Sequence, residues 1–465
     1  MTTISFVFVP FTFIFNDVAN IYVYLQVMLA VLILWIICKK KDPNGKCKLT
    51  QEEEVALISK WQPFPLVKPA PKTHRGYDTR VAESKIGKNI TVNGINCLNL
   101  SSHDFLGFNE EKVIENSTIQ SIRKYGIGSC GPRGFFGTVD VHLELEERLA
   151  KFMDLEEAVV YAYGFSTISS AIPAYAKRGD VIFVDEEVNF SIQKGLDASR
   201  SEIKYFKHNN MKDLEGLLLK QAELDLKNTK KAAKTRRFLV IEGIYMKTGK
   251  LCNLPELVLL SKKYKLRMFI DESISFGTLG KNGKGVTEHF NIPVTEVDLI
   301  MASLEMSVAS VGGFCVGSSF IVEHQRLSGL GYCFSASLPP LLTSAAIKAL
   351  DILENSPQIV IELQNVCCTF HQYLLNSNIL MNFFTLIGDD ISPIKHLVLR
   401  NDRNNFQDLG LVVSKCEHMN LAITEMAYLD AEKKKPLPSI KLAVSRLFTN
   451  DDLIRVINIL EKSVS

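Results

Sequence analysis

Short runs of apolar residues alternate with segments of helical periodicity through most of the chain after residue 75. The runs have the length and continuity of buried strands, and they lie at 158–163, 180–185, 237–243, 266–273 and 297–303. Strands of this kind that alternate with helices are typical of a largely parallel, helix-covered sheet. The pattern therefore predicts an α/β fold.

The pattern changes at Pro340. A long helical segment is followed by strands near 395–400 and 439–445, and the chain ends in an amphipathic helix, DDLIRVINILEKS. This order of elements indicates a smaller α+β domain. We therefore predict a large domain over 75–340 and a small carboxyl-terminal domain over 341–465.

The first 38 residues contain no lysine or arginine and a single acid, Asp17. Within them, 21–38 is an apolar run interrupted only by Gln26, and as a helix it would span about 27 Å, close to the ~30 Å hydrocarbon core of a bilayer. Three lysines follow directly at 39–41. By the positive-inside rule, the run predicts a transmembrane helix with the rest of the chain in the cytosol. The alternative is a buried core helix.

The segments on either side of this run are assigned by composition. Residues 1–20 are expected to be lumenal or interfacial, because the stretch 4–15 carries Pro10 and is too short to span a membrane. Residues 39–74 are predicted to form a charged linker and a proline-punctuated arm on the cytosolic side.

Composition excludes several classes of protein. With 465 residues, 46% hydrophobic and 22% charged, the chain is an ordinary globular protein rather than a collagenous, disordered or disulfide-scaffold one. A net charge of +2 gives no global attraction to nucleic acid. The ten cysteines form no C-x-x-C pair and no histidine pair has metal-ligand spacing, so no metal site is expected.

Seven motifs follow one another along the chain. They are NLSSHDFLGF (99–108), YGIGSCGPRGFFGTVDVHLELE (125–146), GDVIFVDEEVNFSIQKG (179–195), FKHNNMKDLE (206–215), FIDESISFGTLGKNGKG (269–285), DLIMASLEMSVASVGGF (298–314) and FSASLPP (334–340). In this order they resemble the α-oxoamine synthases, pyridoxal-phosphate enzymes of the fold-type I aminotransferase architecture that condense an amino acid with an acyl-CoA. The resemblance covers roughly residues 60–460 and implies that fold.

The resemblance also exposes departures at the positions that carry the chemistry. The lysine that holds the cofactor falls on Met306, and a thioether can neither form an imine nor move a proton. A phosphate-binding serine falls on Glu305, whose carboxylate would repel a phosphate. The two histidine positions are Asn189 and Ile274. We therefore expect no catalytic residue in this chain.

At two further positions where the family carries a charged residue, this chain keeps the sign of the charge. Asp271 matches the acid that pairs with the pyridinium nitrogen. It either keeps a contact with the cofactor or caps the adjacent turn with its carboxylate. The loss of the other cofactor-binding positions favours the turn-capping role. Lys441 stands where relatives carry an arginine that grips the substrate carboxylate. A lysine offers a point charge instead of a bidentate fork, so this position is also interpreted as eroded.

Active sites of this family are built at a dimer interface. The resemblance implies that FSASLPP enters the neighbouring subunit's site, where Ser335 and Ala336 would offer a hydroxyl and a backbone N–H to the cofactor phosphate. The loop 130–138 is expected at the same interface. There, Arg133 would face an anionic group, and Cys130 is either close to the substrate or a small packed thiol. Pyridoxal 5'-phosphate is thus expected on the partner only.

Together, the resemblance implies a non-catalytic subunit that stabilises and completes a catalytic homologue in a heterodimer at the endoplasmic reticulum membrane. The implied reaction is the decarboxylative condensation of L-serine with palmitoyl-CoA to a 3-keto long-chain base, and small regulatory subunits are compatible with it. Two alternatives stay open. One is a scaffolding or regulatory protein that uses the fold only as a binding surface, and the other is an active homodimer that uses another lysine.

Overall fold

The chain divides into two compact units, Met1–Thr79 and Arg80–Ser465. The structure, a computed structural model, describes residues 18–39, 49–67, 79–400, 406–426, 428–429 and 431–464. Most of the predicted lumenal segment (1–20) and much of the predicted linker (39–74) therefore lie outside the described residues.

The amino-terminal unit contains two described helices, α1 (Val18–Lys39) and α2 (Gln51–Lys60). α2 begins in a capping box, in which Thr50 Oγ1 accepts a bond from the N–H of Glu53 and the Glu53 carboxylate accepts one from the N–H of Thr50. This reciprocal pairing satisfies two of the backbone donors that a helix leaves free at its start.

Helix α1 forms where the apolar run predicts a helix. Among the residues that the structure describes, however, no helix is both long and apolar enough to cross a membrane. The helix is confirmed, and the prediction that 21–38 spans a membrane is not.

The second unit contains the remaining described strands and helices. The strands are β1 (Asn89–Val92), β2 (Ile95–Asn99), β3 (Glu157–Tyr161), β4 (Val181–Asp185), β5 (Glu202–Phe206), β6 (Arg237–Glu242), β7 (Arg267–Asp271), β8 (Leu299–Ser303), β9 (Gly313–Gly317), β10 (Phe384–Ile387), β11 (Ile394–Leu399), β12 (Leu421–Ala422), β13 (Thr424–Glu425) and β14 (Ser439–Ala443). The helices are α3 (Lys112–Tyr125), α4 (Asp140–Phe152), α5 (Gly164–Tyr175), α6 (Phe190–Ser199), α7 (Met211–Lys227), α8 (Thr229–Ala232), α9 (Leu254–Tyr264), α10 (Val286–His289), α11 (Ser319–Ser328), α12 (Leu330–Cys333), α13 (Pro340–Asn355), α14 (Gln358–Asn376), α15 (Asn378–Phe383), α16 (Phe406–His418) and α17 (Asn450–Val464).

Seven strands form the largest sheet, in the order β3-β9-β8-β7-β6-β4-β5. The pairs from β8 through β7, β6 and β4 to β5 are parallel, and β9 runs antiparallel to both β8 and β3. All residues of β4 and β8 are buried, as expected when helices cover both faces of a parallel sheet. The predicted α/β fold with a mostly parallel sheet is confirmed.

A second sheet, β10-β11-β14-β13, is antiparallel and contains the strands predicted near 395–400 and 439–445. A third, β1-β2-β12, pairs the start of this unit with Leu421–Ala422. One contiguous apolar core includes residues of the first two sheets, such as Ile270 of β7 and Leu442 of β14. Helix α13 begins at the predicted boundary near residue 340, and the division into two domains stays a prediction.

Candidate functional site

A cavity of about 210 Å³ lies at the carboxyl edge of the large sheet. This edge is where parallel α/β sheets usually place their ligands, although ligand pockets are generally larger, roughly 300–1,000 Å³. The cavity is lined by Gly164, Phe165, Ile168, Asn189, Phe190, Ser191, Glu242, Met246, Asp271, Ser273, Ile274, Ser303, Glu305 and Met306. The four positions singled out as departures in the sequence, 189, 274, 305 and 306, thus meet around one cavity.

Asp271 ends strand β7 and is buried beneath the cavity. Its Oδ1 accepts bonds from the N–H (2.9 Å) and hydroxyl (2.5 Å) of Ser273, which is the turn-capping contact. Its Oδ2 accepts a bond from Asn189 Nδ2 at 2.7 Å. Burial raises the pKa of the Asp271 carboxyl, since no basic side chain lines the cavity as far as the structure describes it.

Asn189 connects strand β4 to helix α6 and serves as the N-cap of that helix. Its Oδ1 accepts bonds from the N–H of Ile192 (3.0 Å) and the hydroxyl of Ser191 (2.5 Å). Its backbone N–H donates to Glu242 Oε1 at 2.5 Å, while Nδ2 donates to Asp271. One residue therefore links a helix start to the ends of two neighbouring strands.

Glu242 is a residue of this site that the sequence did not reveal. It ends strand β6, is paired in register with Asp271 and is buried, and its second oxygen accepts a bond from the N–H of Met246 at 3.0 Å. Burial, reinforced by the neighbouring Asp271 carboxyl, raises the pKa of Glu242 to about 8. The available signal was an acid placed directly after a buried apolar run, as at Asp271.

Glu305 and Ser303 line the cavity beside the start of helix α5. The N–H of Glu305 donates to Ser303 Oγ at 3.1 Å, and Glu305 Oε1 accepts a bond from the N–H of Gly164, the first residue of α5, at 3.4 Å. A Cβ on Gly164 would lie 2.4 Å from Ser303 Oγ, so only glycine allows this approach. A helix start attracts anions, and here the chain provides the carboxylate itself.

The remaining lining positions supply no reactive group. Ile274 is buried, and Met306 packs partly buried against the core. No lysine, arginine or histidine belongs to the cavity wall within the described part of the chain. The apolar wall is completed by Phe165, Phe190 and Met246.

Arg133 and Cys130 lie in a tight loop away from the cavity wall. Arg133 is 7% exposed, and it forms a bidentate pair with Glu146 of helix α4 at 2.8 and 3.0 Å. The anionic group that it contacts therefore belongs to this same chain, and the sequence did not single out Glu146. Cys130 is exposed and has a positive φ of 58°.

Ser337 fastens this loop to the FSASLPP segment, a role that the sequence did not indicate. Its hydroxyl donates to Gly137 O at 2.5 Å and lies equally close to the hydroxyl of Ser129. Its N–H donates to Gly131 O at 3.0 Å. We call residues 129–138 and 334–340, held together in this way, the clasp.

The clasp contains both residues predicted to serve a partner's cofactor. Ser335 is half-buried and its hydroxyl donates to Gly331 O, whereas Ala336 is exposed. The two segments expected at one interface thus lie side by side, and none of Cys130, Arg133, Ser335 and Ala336 lines the cavity.

Lys441 is buried in strand β14 and lies opposite His396 of β11. Its Nζ donates to His103 Nε2 at 2.6 Å. Burial lowers the pKa of Lys441 to about 8, and burial together with the Lys441 charge lowers the pKa of His103 to about 3. His103 is therefore neutral and accepts the bond, and Lys441 lies outside the cavity wall.

Comparison with known proteins gives consistent results. The aminotransferase class I and II family matches residues 95–382. Serine palmitoyltransferase 1 of Dictyostelium discoideum is 39% identical over 451 residues, which are 95% of this chain and 93% of the relative. Long chain base biosynthesis protein 1 of Arabidopsis thaliana is 37% identical over 448 residues, covering 95% and 91% of the two chains.

A similar solved structure is the serine palmitoyltransferase of S. paucimobilis with a bound PLP–myriocin aldimine. It superimposes with a TM-score of 0.75 at 22% identity, over 83% of this chain and 92% of that one, which supports the fold. This chain therefore belongs to the class I and II aminotransferase family and, within it, to the group of serine palmitoyltransferase 1 and long chain base biosynthesis protein 1.

Proposed function

We propose that this chain is a non-catalytic subunit of serine palmitoyltransferase, which stabilises a catalytic homologue and completes its active site. The assembled enzyme condenses L-serine with palmitoyl-CoA, with loss of carbon dioxide, to 3-ketosphinganine, the first step of sphingolipid synthesis. The family assignment supports the reaction. That the catalytic residues lie in the homologue and not in this chain is inferred from the cavity.

The observation that carries the proposal is the chemistry of the cavity wall. Pyridoxal phosphate would supply an electron sink, and enzymes of this kind hold it as a Schiff base on a lysine amine before the substrate binds. The wall presents Met306 at that position, and its polar ends, Asp271 and Glu305, are already bonded within the chain. These residues do not fit the cofactor, so we place pyridoxal phosphate on the partner subunit only.

The clasp is the part of the chain that we assign to the partner's site. Hydrogen bonds of Ser337 join its two segments, and the bidentate pair between Arg133 and Glu146 connects it to helix α4. Ser335 and the exposed Ala336 therefore lie on a segment that these contacts hold in position. In that position the N–H of Ala336 can donate a hydrogen bond to an anionic group of the neighbouring subunit, and the Ser335 hydroxyl can do so once it turns away from Gly331 O.

We also propose that the complex works at the endoplasmic reticulum membrane, with the second unit in the cytosol. The product carries a long alkyl chain that partitions into lipid. The large apolar side chains described between Val23 and Ile37 of α1 are each 47–71% exposed, and an apolar surface of this extent marks contact with lipid or protein. Membrane fractionation of the full chain, with and without residues 1–38, tests this localisation.

The decisive experiment replaces Ser335 with a bulky residue in the complex. Ser335→Trp is expected to reduce the condensation rate at least tenfold while the two chains still co-purify in equal amounts. The matched control is Ser201→Trp, because Ser201 is also half-buried and donates to a backbone carbonyl, that of Lys177 at 3.0 Å, at the opposite end of the sheet. Full activity of Ser335→Trp would instead favour the scaffolding function.

Affinity purification from membranes distinguishes the remaining alternative. We expect a homologue with an intact lysine motif to co-purify in equal amount. Recovery of this chain alone, together with a borohydride-trapped pyridoxal adduct on one of its own lysines, would show an active homodimer and refute the proposal.

A further inference from the structure

Two side chains make the bonds inside the cavity that a bound ligand would otherwise make. The Asn189 amide donates to Asp271 Oδ2 at 2.7 Å. Beside helix α5, the Glu305 carboxylate accepts a hydrogen bond from the N–H of Gly164, the first residue of that helix. Within the cavity, the buried Asp271 thus has a hydrogen-bond donor, and the start of helix α5 has an anion bound to it.

The hydrogen bond from the Asn189 amide is important for Asp271, because the cavity wall, as far as the chain is described, contains no cation that could neutralise this acid. Asp271 and Glu242 are both buried, and an unpaired buried carboxylate is costly unless it is protonated or accepts hydrogen bonds. Asn189 bonds to both acids, through its side chain to Asp271 and through its backbone to Glu242. It therefore stabilises in this chain a pair of acids that a cationic ring would otherwise have to neutralise.

The Glu305 carboxylate, which accepts the N–H of Gly164, occupies a place that favours negative charge. The N–H groups at the start of a helix favour an anion, and a phosphate commonly takes that place. Here Glu305 reaches it from the β8 strand end, with its own N–H held by Ser303 Oγ at 3.1 Å. A phosphate would have to displace this carboxylate and would be repelled by it.

We propose that Asn189 and Glu305 act as built-in substitutes for the two ends of a cofactor, so that the site is closed from within independently of residue 306. This inference rests on the proposed non-catalytic function and extends it. An amine introduced at position 306 alone would leave both substitutes in place. It would therefore not restore binding of pyridoxal phosphate.

The test compares three variants of the full chain, each purified in complex with its partner. The first carries Met306→Lys. The second adds Asn189→Ser, which keeps a helix-capping hydroxyl but removes the amide, and Glu305→Ser, which removes the carboxylate. The third is a matched control that adds Asn210→Ser and Glu156→Ser to Met306→Lys. Asn210 caps α7, and Glu156 accepts the N–H of Ser319, the first residue of α11, at 2.7 Å.

Each complex is incubated with pyridoxal phosphate, whose aldehyde condenses with the introduced amine with loss of water. Added borohydride then reduces the new carbon–nitrogen double bond, and mass spectrometry quantifies the modified peptide that contains position 306. We expect at least tenfold more adduct in the second variant than in the first or the control. Equal loading of the first and second variants, or no loading of either, overturns the inference.

A second measurement guards against a variant that does not fold. In the otherwise unsubstituted chain, Asn189→Ser is expected to lower the thermal midpoint more than Asn210→Ser, because only the former leaves Asp271 Oδ2 without its donor. Equal midpoints overturn the inference. An adduct on the unsubstituted chain would refute the proposed non-catalytic function instead, so the two failures are distinguishable.

Discussion

The pair between Arg133 and Glu146 is predicted to be the strongest single polar contact of the clasp. Both side chains are almost fully buried, with 4% and 6% of their surface exposed, and the guanidinium engages both carboxylate oxygens. Removing one partner of a buried pair usually costs about 3–5 kcal/mol, because the other charge stays buried without compensation. The informative perturbation is Arg133→Met, which keeps the side chain's bulk.

The structure places the expected loss at the lower end of that range. After Arg133→Met, Glu146 Oε1 still accepts the N–H of Val160 at 2.9 Å, and Arg326 lies 3.8 Å from Oε2. We expect a loss of about 3 kcal/mol for the single variant. Adding Glu146→Gln removes the stranded charge while keeping an oxygen for Val160, so the double variant should be more stable than the single one, with a loss of about 1–2 kcal/mol.

Hydrogen exchange measured by mass spectrometry gives a readout specific to this chain within the complex. A loss of about 3 kcal/mol corresponds to roughly 100-fold faster exchange of protected amides in α4 and β3. The control is Lys124→Met, because Lys124 and Asp140 form a pair that is 63% and 65% exposed, and losing such a pair should leave exchange nearly unchanged. Unchanged exchange in Arg133→Met, or a double variant less stable than the single one, would refute the reasoning.

Two further predictions concern the cavity and the clasp. Burial and Asp271 raise the pKa of Glu242 from 4.5 to about 8, so its contribution to stability is present below pH 4.5 and is lost as pH rises towards 8. Thermal midpoints between about pH 5 and pH 9 should therefore fall with pH, with a shallower slope in Glu242→Gln, and identical slopes would contradict this assignment. Ser337→Ala should speed amide exchange in 129–137 by about tenfold, whereas Ser201→Ala should leave that segment unchanged.

Five of the seven strands of the large sheet were predictable, because a short, uninterrupted apolar run between helical segments is typical of a buried strand. The two strands that were missed differ in physical character. β5 (Glu202–Phe206) is an edge strand with one buried residue in five, so its sequence lacks the apolar run. β9 (Gly313–Gly317) begins and ends with glycine, and only its pairing with β8 and β3 makes it a strand.

The composition of the cavity wall was predictable from the register of motifs, but its hydrogen bonds were not. Asn189 lies 82 residues from Asp271 and 53 from Glu242 in the sequence, and parallel pairing of β6 with β7 brings the two acids together. Which oxygen accepts which donor depends on side-chain orientation, which no spacing encodes. Arg133 shows the same limit, since its anionic partner is Glu146, 13 residues further along the same chain.

The hydrogen bonds of Asn189 and Glu305 stabilise the edge of the main sheet on which the cavity lies. Without a ligand or these bonds, the buried acids Asp271 and Glu242 and the free N–H groups at the start of helix α5 would have fewer hydrogen-bond partners. The carboxyl edge of the main sheet would then be destabilised. Asn189 and Glu305 offset that loss within the chain. Substitutions in the cavity should therefore affect the assembled enzyme through the stability of this chain, whereas substitutions at Ser335 should affect its turnover directly.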